Sequence, residues 1–156
     1  MRYVKSSNKH GFEVFSVNSV DQLLACLPHR SRYFSLFLAW DAPEIEPAKL
    51  AKIFEPLVNR GLAYFCAWGV RCEDVHDAVD HCVVFNEIDG VEEDYLLMTT
   101  WHARESLEEA LWFFSMNAIP AEEHVIADFE RYAVIIGNRE WSSRVESFRP
   151  SSTGPG

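Results

Sequence analysis

YFSLFLAW at residues 33–40, LAYFCAW at 62–68 and YLLMTTW at 95–101 decide how this chain folds. Each run is one strand long and too apolar to leave a face in water, and each is followed by a segment with helical periodicity. That pattern predicts a central, mostly parallel sheet covered by helices on both sides. Each run also stops on a tryptophan followed by a turn-prone or ionisable residue: Trp40-Asp41, Trp68-Gly69 and Trp101-His102. In a parallel α/β sheet such positions gather at the carboxyl edge, where these folds place their ligand crevices.

The remaining segments fill in a single three-layer domain, Rossmann-like or flavodoxin-like, with a sheet of about four to five strands. Phe12 to Val17 alternates and reads as a first strand at the sheet edge. Ser19 with Gln22 makes a capping-box pattern, and the stripe Val20, Leu23, Leu24, Leu27 reads as a short helix ended by Pro28. Pro47 suits the first turn of a helix toward Arg60, with Leu50, Ile53, Phe54 and Leu57 on its buried face and Gly61 as its left-handed stop. Pro56 removes a helix hydrogen bond, which predicts a kink or an early end near Phe54.

A further helix begins near Cys72. Val75, Ala78, Val79, Cys82 and Val83 form its stripe, leaving Glu73, His76, Asp77, Asp80 and His81 outward. Residues 82–85 (CVVF) fit either a continued helix or a short strand, and Asp89-Gly90 is a turn in both cases. Ser106 with Glu109 is a second capping box. It opens a helix that is apolar nearly all round, which is either deeply buried or lends a face to a partner or a second copy across residues 106–118. Tyr132 to Ile136 is the last strand. The domain thus spans 12–141, between a frayed start (1–11) and an irregular to disordered tail (142–156).

The stretch Thr99 to Phe114 (TTWHARESLEEALWFF) resembles a segment of a small, uncharacterised bacterial family of domains of unknown function. The resemblance covers about a tenth of the chain and implies no activity.

With 156 residues and 48% hydrophobic content the chain fits one globular domain rather than two with independent cores. No run reaches the roughly 18 apolar residues of a membrane helix, and the start MRYVKSSNKH has no secretory apolar stretch, so the reading is a soluble, cytoplasmic protein. Cys26, Cys66, Cys72 and Cys82 show no CxxC spacing, and three lie in apolar segments, which favours buried reduced thiols over disulfides or zinc.

Charge is unevenly placed. Cys72 to Glu130 holds 16 acidic residues and one basic, a net of −15, while the rest holds 13 basic and eight acidic, a net of +5. Such a surface repels nucleic acid and attracts basic partners.

These residues suggest four chemistries. Asp41, Cys72 and His102 all follow strand ends and could form a carboxylate–thiol–imidazole array of a cysteine hydrolase or transferase, although no glycine-framed elbow surrounds Cys72. His76 with Asp80, or Asp77 with His81, could chelate a metal, but a second ligand group is not apparent, so no metal is expected. A glycine-rich phosphate loop is missing, so no nucleotide or other cofactor is expected. Trp40, Trp68 and Trp101 could line a ligand edge with Glu73 or Asp41 supplying charge, or simply plug the rim of the core.

The leading expectation is a non-enzymatic acidic module that docks a basic protein, in a toxin-neutralising or accessory-subunit role. Its contact residues would be Glu108, Glu109, Trp112, Glu122 and Glu123, with charge steering the encounter and the aromatic anchoring it. No nucleic acid or membrane partner is expected.

Overall fold

The computed structural model describes residues 4–7, 12–88, 97–118 and 129–149. Among them are six strands: β1 (Val4–Ser7), β2 (Glu13–Val17), β3 (Tyr33–Ala39), β4 (Leu62–Trp68), β5 (Met98–Trp101) and β6 (Phe129–Ile136). They form one sheet in the order β1-β2-β6-β3-β4-β5. Only the β1–β2 pairing is antiparallel; the other four are parallel. The chain is a single α/β domain.

Among the described residues the helices are α1 (Leu23–Cys26), preceded by a 3₁₀ turn over Val20–Gln22, then α2 (Pro47–Asn59), α3 (Cys72–Ile88), α4 (Leu107–Met116) and α5 (Arg139–Ser147). Successive strand side chains point to opposite faces, and two cores result. Phe15, Leu36, Leu38, Tyr132 and Val134 pack beneath α1, α2 and α3. Val14, Phe37, Ala39, Ala133 and Ile135 pack beneath α4 and α5. The chain therefore leaves β4 toward one face and β5 toward the other. Their neighbouring carboxyl ends are a switch point, the place where an open α/β sheet has room for a ligand.

The structure differs from the sequence reading at the chain's start, at Pro56, beyond Trp141 and at the Ser19 cap. Val4–Ser7, within the start expected to fray, pairs with β2 from Val4 opposite Ser16 to Ser7 opposite Glu13. The strand expected at the edge is thereby covered, and its edge amides are satisfied. Pro56 does not stop α2, which runs on to Asn59. It lies in the last turn, so only one internal hydrogen bond is forfeited. Residues 82–85, for which the sequence leaves helix and strand both open, continue as helix to Ile88. Beyond Trp141, where irregular chain was expected, α5 forms: the Asn138 side chain accepts a hydrogen bond from the Trp141 amide at 3.0 Å, and Val145 is fully buried. Its sequence (REWSSRVES) carries too few apolar residues to announce a stripe. Of the two capping boxes, Ser106 accepts from the Glu109 amide at 3.1 Å as expected. Ser19 makes no side-chain cap; the Gln22 side chain instead accepts from the Asn18 amide at 2.8 Å.

The β4–α3 turn is drawn tightly against the end of β3. The Trp40 amide donates to the Trp68 carbonyl at 3.0 Å, and the Asp41 carboxylate accepts from the Val70 amide at 2.8 Å. Gly69 has φ +118°, and a Cβ there would lie 2.2 Å from the Trp40 carbonyl oxygen. Only glycine fits, because both the backbone angle and the space exclude a side chain. At Gly137, with φ +71°, a Cβ would meet its nearest neighbour at 3.7 Å, an ordinary contact. Gly69→Ala is thus expected to cost about 3 kcal/mol or more in urea unfolding, and Gly137→Ala about 1 kcal/mol. Equal losses would contradict the close approach at Gly69.

Candidate functional site at the carboxyl edge

The strand-end tryptophans do not share a wall. Trp40 is 7% exposed, inside the core beneath α1–α3. Trp68 lies on the other face, edge-on to Trp141 at 4.8 Å, its indole N–H donating to the Glu105 carbonyl at 2.9 Å. Trp101 is 44% exposed on the edge strand, with its ring 4.5 Å from that of His76. Strand alternation, invisible when only the run endings are aligned, sends neighbouring indoles to opposite faces.

Asp41, Cys72 and His102 do not form a catalytic array either. Cys72 is 2% exposed in the α1–α3 core. Burial pushes its thiol up, outweighing backbone hydrogen bonds from His102, Cys72 and Glu73 that pull it down. The His102 ring is buried at the opposite face, against Phe113 at 4.9 Å. Its Nδ1 lies 2.9 Å from Glu105 Oε2 and its Nε2 2.9 Å from Thr100 Oγ1. Asp41 is occupied by the Val70 amide. The Thr100–His102–Glu105 chain has the spacing of a hydroxyl–imidazole–carboxylate relay, but Thr100 also donates to the fully buried Cys66 sulfur at 3.3 Å. Its role is to satisfy a buried ring. The other thiols are likewise held protonated: burial pushes Cys26 and Cys66 up to about 12 and Cys82 to about 11.

What the carboxyl edge does present is acid. On α3, Glu73, Asp74 and Asp77 are exposed and Asp80 is half-buried. Glu44 faces Asp74 and Asp77 across a cleft of about 650 Å³ between α3 and the loop leading into α2, floored by Ile45, Leu50 and Ala78. Arg71, at φ +61°, reaches into it, with ion pairs of 3.8 Å to Glu44 and 3.7 Å to Asp74. Among the described residues it is the one arginine or lysine that pairs with an α3 carboxylate. Exposed pairs at such lengths neutralise little.

His76, read from the sequence as outward, is 8% exposed. Its Nδ1 is 2.9 Å from Asp77 Oδ1, and its Nε2 is 2.9 Å from Thr99 Oγ1 and 3.4 Å from Asp80 Oδ2. The signal was present in its position beside Val75 and Val79 on the buried stripe, one residue off the helical register. Among the described residues no group of three or more His, Cys, Asp or Glu side chains is placed to hold a metal ion.

The α4 surface is more neutral than its sequence suggests. Glu108 is gripped by Arg144 of α5 at 2.7 and 2.6 Å, and this hydrogen bonding holds its carboxyl below the usual range. Glu109 is exposed in the first turn of α4. Trp112 and Phe113 lean on the core beneath α4 and α5 and are only half-buried, so the helix's apolar excess is largely used internally. Glu130 is taken up by Arg30 at 2.9 Å. Glu122 and Glu123 lie outside the described residues. Flanking arginines therefore quench part of the acidic segment, while the α3 rim keeps its charge.

A family model described as a domain of unknown function (DUF7684) matches residues 14–150. No curated protein and no solved structure matches the chain. No helix among the described residues is long and apolar enough to cross a membrane.

Two outcomes follow from this geometry. In the native protein all four cysteines should resist iodoacetamide and become modified together only on unfolding; selective labelling of Cys72 would revive a thiol chemistry at the edge. The Glu108–Arg144 tie is complete above the ordinary carboxylate range and is lost as pH falls through the lowered Glu108 value, since the folded state favours the ionised form. Acid should therefore loosen α5 from α4 and change Trp141 fluorescence, and Glu108→Gln should remove that step.

Proposed function

We propose that this chain, which belongs to the family described as a domain of unknown function (DUF7684), works by binding a basic protein partner along the rim formed by α3 and β5. The supporting observation is the pairing of an exposed, positioned aromatic with acid that Arg71 offsets only through long, exposed contacts to Glu44 and Asp74. Trp101 stands 44% exposed at the end of the edge strand, and its ring is backed by His76 at 4.5 Å. The carboxylates of Glu73, Asp74, Asp77 and Asp80 run along the neighbouring helix, with Glu44 across the cleft.

Long-range attraction to such a rim raises the encounter rate of a basic surface, and a rigid indole supplies the desolvated anchor that slows release. The anchor is Trp101 rather than Trp112, which is engaged with its own core. Arginine or lysine side chains from the partner suit both elements, through ion pairing in the cleft and cation–π contact on the outer indole face. Neutralising a basic toxin and serving as an accessory subunit are both roles of this kind. Four reduced thiols suit a reducing compartment such as the cytoplasm.

The probe is a labelled arginine-rich peptide followed by stopped flow at low and physiological salt. Glu73→Lys with Asp74→Lys should slow association ~10-fold or more at low salt, with a smaller effect at higher salt. Trp101→Ala should speed dissociation ~10-fold and leave association almost unchanged. Glu109→Lys on α4 should change neither. Equal slowing from the α3 and α4 reversals would mean a diffuse acidic field and no docking rim.

A further inference from the structure

Among the described residues only β4 pairs with β5. The pairing is parallel with Ala67 opposite Trp101, and the His102 amide donates to the Ala67 carbonyl at 3.0 Å. Backbone groups alternate from side to side along a strand, so those of Met98 and Thr100 also face β4, and those of Thr99 and Trp101 face outward. β5 (MTTW) has neither the lysine nor the proline with which exposed edges commonly repel a further strand. The far edge of the sheet, β1, includes Lys5. The β5 edge is also held in place: Thr99 donates to Asp80 at 2.6 Å and lies 2.9 Å from His76 Nε2, while Thr100 lies 2.9 Å from His102 Nε2 on the opposite face. Little ordering is left to be done when a strand arrives.

We infer that this edge takes an extended segment of a basic partner as a further strand of the sheet, with the segment's arginine or lysine side chains turned to the α3 side. Charge selects the occupant. Glu73 and Asp80 share one face of α3 with His76, and the Asp80 carboxylate touches Thr99 itself, so acid overhangs the α3 side of a strand laid along β5. Trp101 on that side and Met98 on the other, 44% and 39% exposed, offer apolar contact to the segment's alternate side chains. Like charge opposes a second copy, because antiparallel pairing of two β5 strands keeps the same faces together and sets one acidic α3 beside the other. The inference rests on the docking reading above and adds how the partner's backbone is held: main-chain hydrogen bonds supply affinity, and alternate side chains supply specificity.

The probe is a peptide of alternating arginine and threonine, with two variants N-methylated at every arginine or at every threonine. At saturation the parent peptide should slow hydrogen exchange of the Thr99 and Trp101 amides about tenfold or more, without a comparable change at the His102 amide, which is already bonded within the sheet. One methylated variant should bind about tenfold or more weakly and the other like the parent, because only alternate amides face β5. Loss with methylated arginine marks an antiparallel strand, and loss with methylated threonine a parallel one. Binding of the parent with no slowing at Thr99 and Trp101, or equal affinities of the two methylated variants, would overturn strand addition and leave the docking rim standing. Slowing that grows with protein concentration in the absence of peptide would overturn it in favour of a second copy. Failure of this peptide and of the arginine-rich peptide alike would instead remove the docking rim, and strand addition with it.

Discussion

Strands β3, β4 and β6 carry side chains that cannot be left in water on either face, and this constraint shapes the rest of the molecule. Phe37, Leu36, Phe65, Cys66, Ala133 and Val134 are all 0% exposed although they point alternately up and down. A sheet of that kind must be roofed twice. The first roof, α1 to α3, is made by the connections that step outward along the sheet from β2 to β5. The second, α4 and α5, is made on the way back and after β6. The split at the ends of β4 and β5 is thus a consequence of covering both faces.

The same split sorts the polar chemistry. Thr99 and Thr100 are consecutive in β5, so their hydroxyls turn to opposite faces, and each meets a buried histidine held by carboxylate: His76 with Asp77 and Asp80 on one side, His102 with Glu105 on the other. Two buried rings fasten the thin edge strand to the α3 and α4 faces. This accounts for polar groups that would otherwise be costly to bury. It also explains why the side chains of a histidine, a cysteine and an aspartate that all follow strand ends take different partners, although the His102 backbone reaches the Cys72 thiol. They are spent on separate structural tasks, Asp41 holding the Val70 amide and Cys72 filling the core beneath α3.

Much of the architecture could be read from the residues because long apolar runs and helical stripes act locally. The three tryptophan-ended runs gave strands, the Ser106 cap opened α4, and Gly61 closed α2 with φ +112°. What escaped depends on other parts of the chain. α5 owes its place to Val145 and Phe148 fitting a core built by distant strands, and Pro56 is tolerated because it falls in the last helical turn. The site was less legible still. A charge total says which segment is acidic, but Arg144 and Arg30 come from flanking segments to quench Glu108 and Glu130. Only their placement reveals that, among the described residues, the α3 carboxylates are held less closely by arginine than Glu108 and Glu130 are. Likewise, aligning strand endings cannot say that Trp101 is left exposed while Trp40 is enclosed.

On the proposed function, basic partners meet this protein at α3 and β5. Amide shift mapping during titration with an arginine-rich peptide tests it most directly. The shifts should begin on Glu73–Asp80, the Glu44 loop and Met98–Trp101, with α4 and α5 unmoved at the same peptide concentration. Shifts that begin on α4, or that spread evenly over every acidic surface, would contradict it.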